Sequence, residues 1–234
     1  MRIAIIADIH GNLVALESVL AALHHDAPDM TICLGDVAAT GPRPRDVIAR
    51  LRTLGCQCVL GNADDELLQP LPQPQPGEPR WLAIDRWCAA QLSAGDRAFL
   101  ASFAPTLTVD LPDGAALLAY HGAPASYDQL ITTTTAAEDL DALLAGTSAA
   151  VYAGGHTHAP FIRAHHTCWV LNPGSVGLRP PNATYALIDA TAVGLAATLR
   201  SVQLDMDTVL EDARRSGMPE YDWWSSFWRA EDAT

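Results

Sequence analysis

The chain has 234 residues, 49% hydrophobic and 18% charged, with a formal net charge of −13, which is long enough for one large domain with a sizeable core. All 14 basic residues are arginine, so the phosphate-binding P-loop and Schiff-base catalysis, both of which need a lysine amine, are excluded. The acidic balance argues against nucleic acid or an anionic membrane as the main partner, since both demand clustered cations.

In chain order, residues 3–7 (IAIIA) are a β-branched apolar run ending at Asp8, and Leu13, Leu16, Leu20 and Leu23 then recur at helical spacing. The apolar run is too short for a signal peptide, no stretch reaches the ~18 apolar residues of a membrane span, and five scattered cysteines read as free thiols, so a cytoplasmic location is expected. Cys56-x-Cys58 reads as core rather than half a metal site. A second unit has a strand at 30–34 ending in Gly35-Asp36, a Gly-Pro-Arg-Pro loop at 41–44 and a helix at 45–54; a short strand at 57–60 ends in Gly61-Asn62. The segment 69–79 holds five of the sixteen prolines and is a stiff loop. A helical cover at 80–104 follows, inserted before the strands at 107–111, 115–120, 149–153, 161–164, 168–171 and 184–189, with a helix near 136–145. Asp113-Gly114 and His165-His166-Thr167 are hairpin signals. From 207 onward the pattern is helical, and Tyr221, Trp223, Trp224, Phe227 and Trp228 form an apolar stripe, read as a helix docked on the body of the protein or on a second copy of the chain. Residues 1–200 are thus expected to form one domain and 201–234 an aromatic helical extension.

Alternating strands and helices indicate an α/β architecture, in which ligands bind at the carboxyl ends of strands. Several strands end in groups suited to metals: Asp8-x-His10, Gly35-Asp36, Gly61-Asn62, His121-Gly122 and Gly155-His156-Thr157-His158. Singly, each is ordinary turn or cap chemistry. Together they bring carboxylate, imidazole and amide donors to one sheet edge, a set suited to borderline or hard divalent cations. His24, His25, His165 and His166 fall outside these blocks and read as surface residues.

In this order the blocks resemble those of the calcineurin-like metallophosphoesterase superfamily, and the likeness extends through Asn172-Pro173-Gly174-Ser175-Val176-Gly177 to Asp189, over roughly 1–190. It looks nearest to the small bacterial and archaeal phosphodiesterase branch. The resemblance implies a four-layer α/β/β/α fold, a two-sheet β-sandwich flanked by helices. It implies two divalent metal ions, Mn²⁺ first among Fe²⁺, Zn²⁺ and Ni²⁺, one held by Asp8, His10, Asp36 and His158 and the other by Asp36, Asn62, His121 and His156. It further implies a phosphodiesterase that hydrolyses a small phosphoester by in-line attack of a hydroxide bridging the metals, with Asp36, Asn62, His121 and Asp64 in the catalytic set.

The chain departs from the family at Ala63, where many members carry a histidine that stabilises the transition state or protonates the leaving oxygen; alanine has no proton to give, so substrates with good leaving groups are expected to be favoured. With lysine absent, Arg43 and Arg179 are the candidates for substrate phosphate, with Arg45 a further arginine beside the motif loops. A dinucleoside polyphosphate hydrolase or protein phosphatase is the alternative enzyme, weakened by the lack of Asp-Arg-Gly after the second block and of Gly-Asn-His-Glu at the third. A scaffold on the same fold, as in the retromer coat, is the non-enzyme alternative.

Overall fold

The computed structural model describes residues 1–229; residues 230–234, the end of the extension read at 201–234, lie outside the described residues. The elements in order are β1 (Arg2–Ile6), α1 (Leu13–Asp26), β2 (Met30–Cys33), α2 (Pro44–Leu54), β3 (Gln57–Cys58), α3 (Asn62–Leu68), α4 (Arg80–Gln91), α5 (Ala94–Leu100), β4 (Leu107–Asp110), β5 (Ala116–Ala119), α6 (Ala137–Leu143), β6 (Val151–Ala153), β7 (Phe161–His165), β8 (Cys168–Asn172), β9 (Asn182–Thr191), β10 (Gly194–Gln203), α7 (Met206–Ser216) and α8 (Tyr221–Arg229). The strands make two five-stranded mixed sheets, ordered β10-β9-β1-β2-β3 and β4-β5-β6-β8-β7. This is the α/β two-sheet sandwich that the motif order implied.

The unbroken apolar run of β1 has a direct cause: both of its faces are buried. Ile3, Ile5 and Ala7 point into the space between the sheets, where they meet Leu117, Ala119, Val151 and Leu171 of the second sheet. Ala4 and Ile6 point the other way, onto Leu16, Val19, Val47 and Leu51 of α1 and α2. The second sheet is covered in turn by Leu140 and Leu144 at α6, packed on Leu118, Tyr152, Phe161 and Val170. Parallel pairing of β1 with β2 and of β5, β6 and β8 with one another sends the carboxyl ends of both sheets' central strands in a common direction within each sheet.

Local chemistry sets the element ends. Asn12 caps α1 by accepting from the Ala15 amide at 3.0 Å, and Ser93 and Asp96 cap α5 reciprocally. Pro44 opens α2, where its missing donor costs nothing. Two elements were not foreseen. Gly61-Asn62 is not only a turn but the start of α3, and β10 pairs with β9 along all ten of its residues in a hairpin that carries the sheet past position 200.

The aromatic C-terminus folds back on its own chain. Trp224 and Trp228 are buried in the apolar cluster on the outer face of the first sheet, with α8 lying against α7, while Phe227 is half exposed. No described helix is long and apolar enough to cross a membrane.

Candidate metal centre

The loops after β1, β2, β5 and β6 converge on one cluster. They are zipped together by backbone bonds: Asp8 N–H to Gly35 O at 3.0 Å, His10 N–H to Asp36 O at 2.9 Å and Gly155 N–H to His121 O at 2.7 Å. Of the seven expected ligands, Asp8, His10 and His158 place donor atoms within 4.8 Å of one another, as do Asp36, His121 and His156. Asn62 joins the second group, its Oδ1 3.1 Å from His121 Nε2.

The backbone is strained at these residues. Asp8, His10, Asp36, His156 and His158 all have positive φ, between 47° and 67°, a region that non-glycine residues avoid at a cost of order 1 kcal/mol or more each. Such strain persists only where the surroundings over-determine it. Gly41 and Gly177 supply part of that support by close approach, since a Cβ on either would run into the carbonyl of His10 or Ile9. Ser175 Oγ donates to the Asp8 carbonyl at 2.7 Å, and Asn172 Nδ2 donates to Gly155 O and Thr157 Oγ1.

Hydrogen bonding fixes the imidazoles. His10 Nδ1 lies 3.1 Å from the Ala39 carbonyl and His121 Nδ1 lies 2.7 Å from the Leu34 carbonyl. A carbonyl can only accept, so each Nδ1 donates and each neutral ring turns a bare Nε2 lone pair inward. His10 Nε2 then faces His158 Nε2 at 3.2 Å, and His121 Nε2 faces Asn62 Oδ1. Asp36 Oδ1 is occupied by the Ala63 amide at 2.9 Å, which leaves Oδ2 to face both His10, at 3.7 Å, and His121, at 3.4 Å. Acceptors converging on acceptors repel unless positive charge stands among them, whether a proton on His121 or divalent metal ions, so the donor set fits such ions and places Asp36 Oδ2 between the two groups.

The protein's own charges say the same. Burial alone would lower His121, but the Asp36 and Asp8 carboxylates overcome it and lift the imidazole to about 10. Burial drives His158 down to about 3, assisted by His10, and pushes the Asp8 carboxyl well above the usual carboxylate range. The cluster therefore demands positive charge, yet most of its imidazoles are kept neutral and able to ligate.

Asp64 lies wholly buried behind this cluster. Its carboxylate accepts from the Asp36 amide at 2.8 Å and the Val37 amide at 2.9 Å, so it holds the loop that carries Asp36. Burial, with Asp36 close by, pushes it up to about 7. Arg179 is at the rim, with its guanidinium on the His158 carbonyl at 3.0 Å. Arg43 is otherwise engaged: it forms a two-pronged pair with Asp212 of α7, at 2.7 and 3.0 Å, which spends its guanidinium within the fold and leaves substrate contact through it without support. Arg45 sits beside Asp96 instead.

The clamp on the loop after Asp36 was not foreseen in the sequence, where Trp224 reads only as part of an apolar stripe and Asp85 is not singled out. Asp85 on α4 is buried and accepts from both Thr40 N and Thr40 Oγ1, at 2.7 and 3.0 Å, while Trp224 Nε1 of α8 donates to Thr40 O at 2.9 Å. No local pattern links positions 40, 85 and 224; the aspartate within an apolar helical stripe was the one available signal. A cleft of about 370 Å³ opens beside His121, walled by Pro105 and residues 123–128. The larger cavity, about 760 Å³, lies at the amino end of β2 against α1, away from these groups.

A two-sheet sandwich with aspartate and histidine donors gathered at the strand ends of both sheets defines an α/β protein with a candidate metal centre. The chain belongs to the calcineurin-like phosphoesterase superfamily, whose domain model matches residues 1–192. It is similar in structure to a metallophosphoesterase from Sphaerobacter thermophilus, with TM-score 0.76 and 27% identity over 98% of each chain. It is 40% identical over 62 residues to an uncharacterized protein of Methanocaldococcus jannaschii, covering 26% of each. It is 42% identical over 71 residues to the symmetrical bis(5'-nucleosyl)-tetraphosphatase of Yersinia pestis, covering 29% of this chain and 25% of that enzyme. The chain thus spans about a quarter of the length of these curated relatives.

Proposed function

We propose that the protein is a divalent-metal-dependent phosphodiesterase that hydrolyses a small phosphoester. The observation that carries this reading is the convergence of the inward-facing acceptors of His10, Asp36, Asn62 and His121 with Asp8, His156 and His158 at the strand ends. Asp8, His10, Asp36 and His158 would hold one cation, and Asp36, Asn62, His121 and His156 the other, with Mn²⁺ the first choice. When bound, such cations neutralise phosphoryl oxygens and acidify water near neutral pH.

The chain's own residues do the rest. Asp64 fixes Asp36 through the backbone amides, the Leu34 and Ala39 carbonyls set the tautomers of His121 and His10, and the cleft lined by residues 123–128 receives one ester substituent. Ala63, buried against Asp36, offers no proton to a departing oxygen. Aryl diesters should therefore outrun alkyl monoesters, and Ala63→His should raise rates on poor leaving groups by about 10²-fold. The similarity to the tetraphosphatase favours a second reading in which the substrate is a dinucleoside polyphosphate.

The test is a panel of bis-p-nitrophenyl phosphate, p-nitrophenyl phosphate, cyclic nucleotides and diadenosine tetraphosphate, assayed with Mn²⁺-loaded protein. Turnover of diesters, falling steeply as leaving-group pKa rises, is the expected result. Fast tetraphosphate cleavage selects the second reading. Full metal loading with no turnover of any member contradicts both and leaves the fold a scaffold.

A further inference from the structure

A second group of aspartate and histidine lies outside the cluster described above. Asp141 is on the solvent side of α6, His165 is the last residue of β7, and His166 opens the two-residue turn into β8. Both imidazoles reach the same carboxylate oxygen: His165 Nε2 lies 2.8 Å and His166 Nε2 2.9 Å from Asp141 Oδ1. The rings lean on each other with centroids 4.2 Å apart, and the three ligand atoms all lie within 4.8 Å of one another. His165 is buried and thereby held in place, while His166 and Asp141 are exposed and open to an incoming ion.

We infer that Asp141, His165 and His166 form a peripheral site for a borderline divalent transition-metal ion, Zn²⁺ in the first instance. Two imidazole nitrogens and one carboxylate oxygen are a donor set for Zn²⁺, Ni²⁺ or Cu²⁺ rather than for Mg²⁺ or Ca²⁺, which take oxygen. Tetrahedral Zn²⁺ with ligand bonds of about 2.0–2.2 Å holds its donors roughly 3.3–3.6 Å apart. Asp141 has only to withdraw by about half an ångström for the ion to replace the protons now shared with the two rings. Water fills the remaining position.

The site is separate from the strand-end cluster. β8 begins at Cys168, beside this turn, and ends at Asn172, which contacts Gly155 in the loop leading to His156. Five residues of strand span about 13 Å. An ion here ties α6 to the β7–β8 hairpin over the buried Leu140, Tyr152 and Val170. Its effect is therefore on the stability of the outer layer of the second sheet, and it stands independently of any activity at the strand ends.

The test uses the full-length protein and two variants at exposed positions, Asp141→Asn and His166→Ala. Each is stripped with chelator, checked by circular dichroism, and titrated with Zn²⁺ by calorimetry and elemental analysis. The wild type should bind one equivalent more than either variant, or bind that equivalent at least about tenfold more tightly. Its thermal midpoint should rise further with Zn²⁺, while Mn²⁺-supported hydrolysis is the same in all three proteins. Equal Zn²⁺ content and an equal Zn²⁺-dependent rise in the three would overturn the inference.

Discussion

Asp36 and Asp141 each stand beside two histidines, yet their surroundings differ in nearly every other respect. Asp36 is 3% exposed, at φ 53°, in a loop braced from behind by Asp64, whereas Asp141 is exposed on the regular surface of α6. Asp36 faces imidazoles whose Nδ1 is turned to a backbone carbonyl and whose Nε2 points toward its carboxylate. Asp141 receives hydrogen bonds from both of its histidines and is held below the ordinary carboxylate range by them. The first arrangement is costly: five left-handed residues at ~1 kcal/mol or more apiece, together with buried carboxylates, must be offset by the surrounding hydrogen bonds and, when bound, by cations. The second is satisfied by itself, and a metal there would only exchange one set of bonds for another. Residue type alone therefore does not single out a candidate catalytic centre; burial, backbone strain and the direction in which the ring nitrogens point separate the two clusters.

The sharpest break in this contrast is Asp36→Ala, which should reduce hydrolysis with saturating Mn²⁺ by about 10³-fold or more, some 4 kcal/mol of transition-state stabilisation. Steady-state kinetics measures it. Next in size is Asp64→Asn, which puts an amide where Asp36 N and Val37 N need an acceptor. About 1–3 kcal/mol of stability should be lost, and Mn²⁺ affinity should fall about 10- to 100-fold, as read by denaturation and calorimetry.

The pH dependence follows from His121, lifted from 6.5 to about 10. A raised imidazole contributes stability that is fully present below its unfolded value and lost as pH rises through the folded one. Chelator-treated protein should therefore lose stability between pH 6.5 and about 10. Metal-loaded protein, in which the ion has displaced that proton, should be flatter across the same window, and scanning calorimetry at stepped pH compares them.

Trp224→Phe is a smaller change. It keeps the ring in its pocket but withdraws the donor from Thr40 O, so about 1 kcal/mol of stability should be lost, with a few-fold fall in kcat as the loop after Asp36 loosens. Asp141→Asn is the smallest for catalysis, with no change expected in kcat/KM; a fall would join the two clusters that the geometry keeps apart.

The ligand residues were legible because their chemistry is local: an Asp, His or Asn directly after an apolar strand, with a glycine to turn the chain. The sandwich was legible for a related reason, since β1 is buried on both faces and shows it as an unbroken apolar run. β10 was not legible. It is an edge strand built from Ala196, Ala197, Arg200 and Gln203 between its few larger apolar residues, so it shows neither a strong alternation nor a β-branched run, and its register comes from β9 alone. The clamp on Thr40 was hidden for another reason: Asp85 and Trp224 act through contacts 45 and 184 residues apart in sequence, which leave no period to read. Arg43 shows the converse, a residue placed correctly beside a motif loop but paired with Asp212, on a helix whose position only the folded chain reveals.

The central claim is that the strand ends of the two sheets hold a pair of divalent cations that share Asp36. Anomalous diffraction from crystals of the Mn²⁺-loaded protein tests it most directly. Two manganese peaks are expected, one within reach of Asp8, His10 and His158, the other within reach of Asn62, His121 and His156, with an Asp36 oxygen between them. Density for no ion at these residues, with manganese bound elsewhere on the chain, would contradict it.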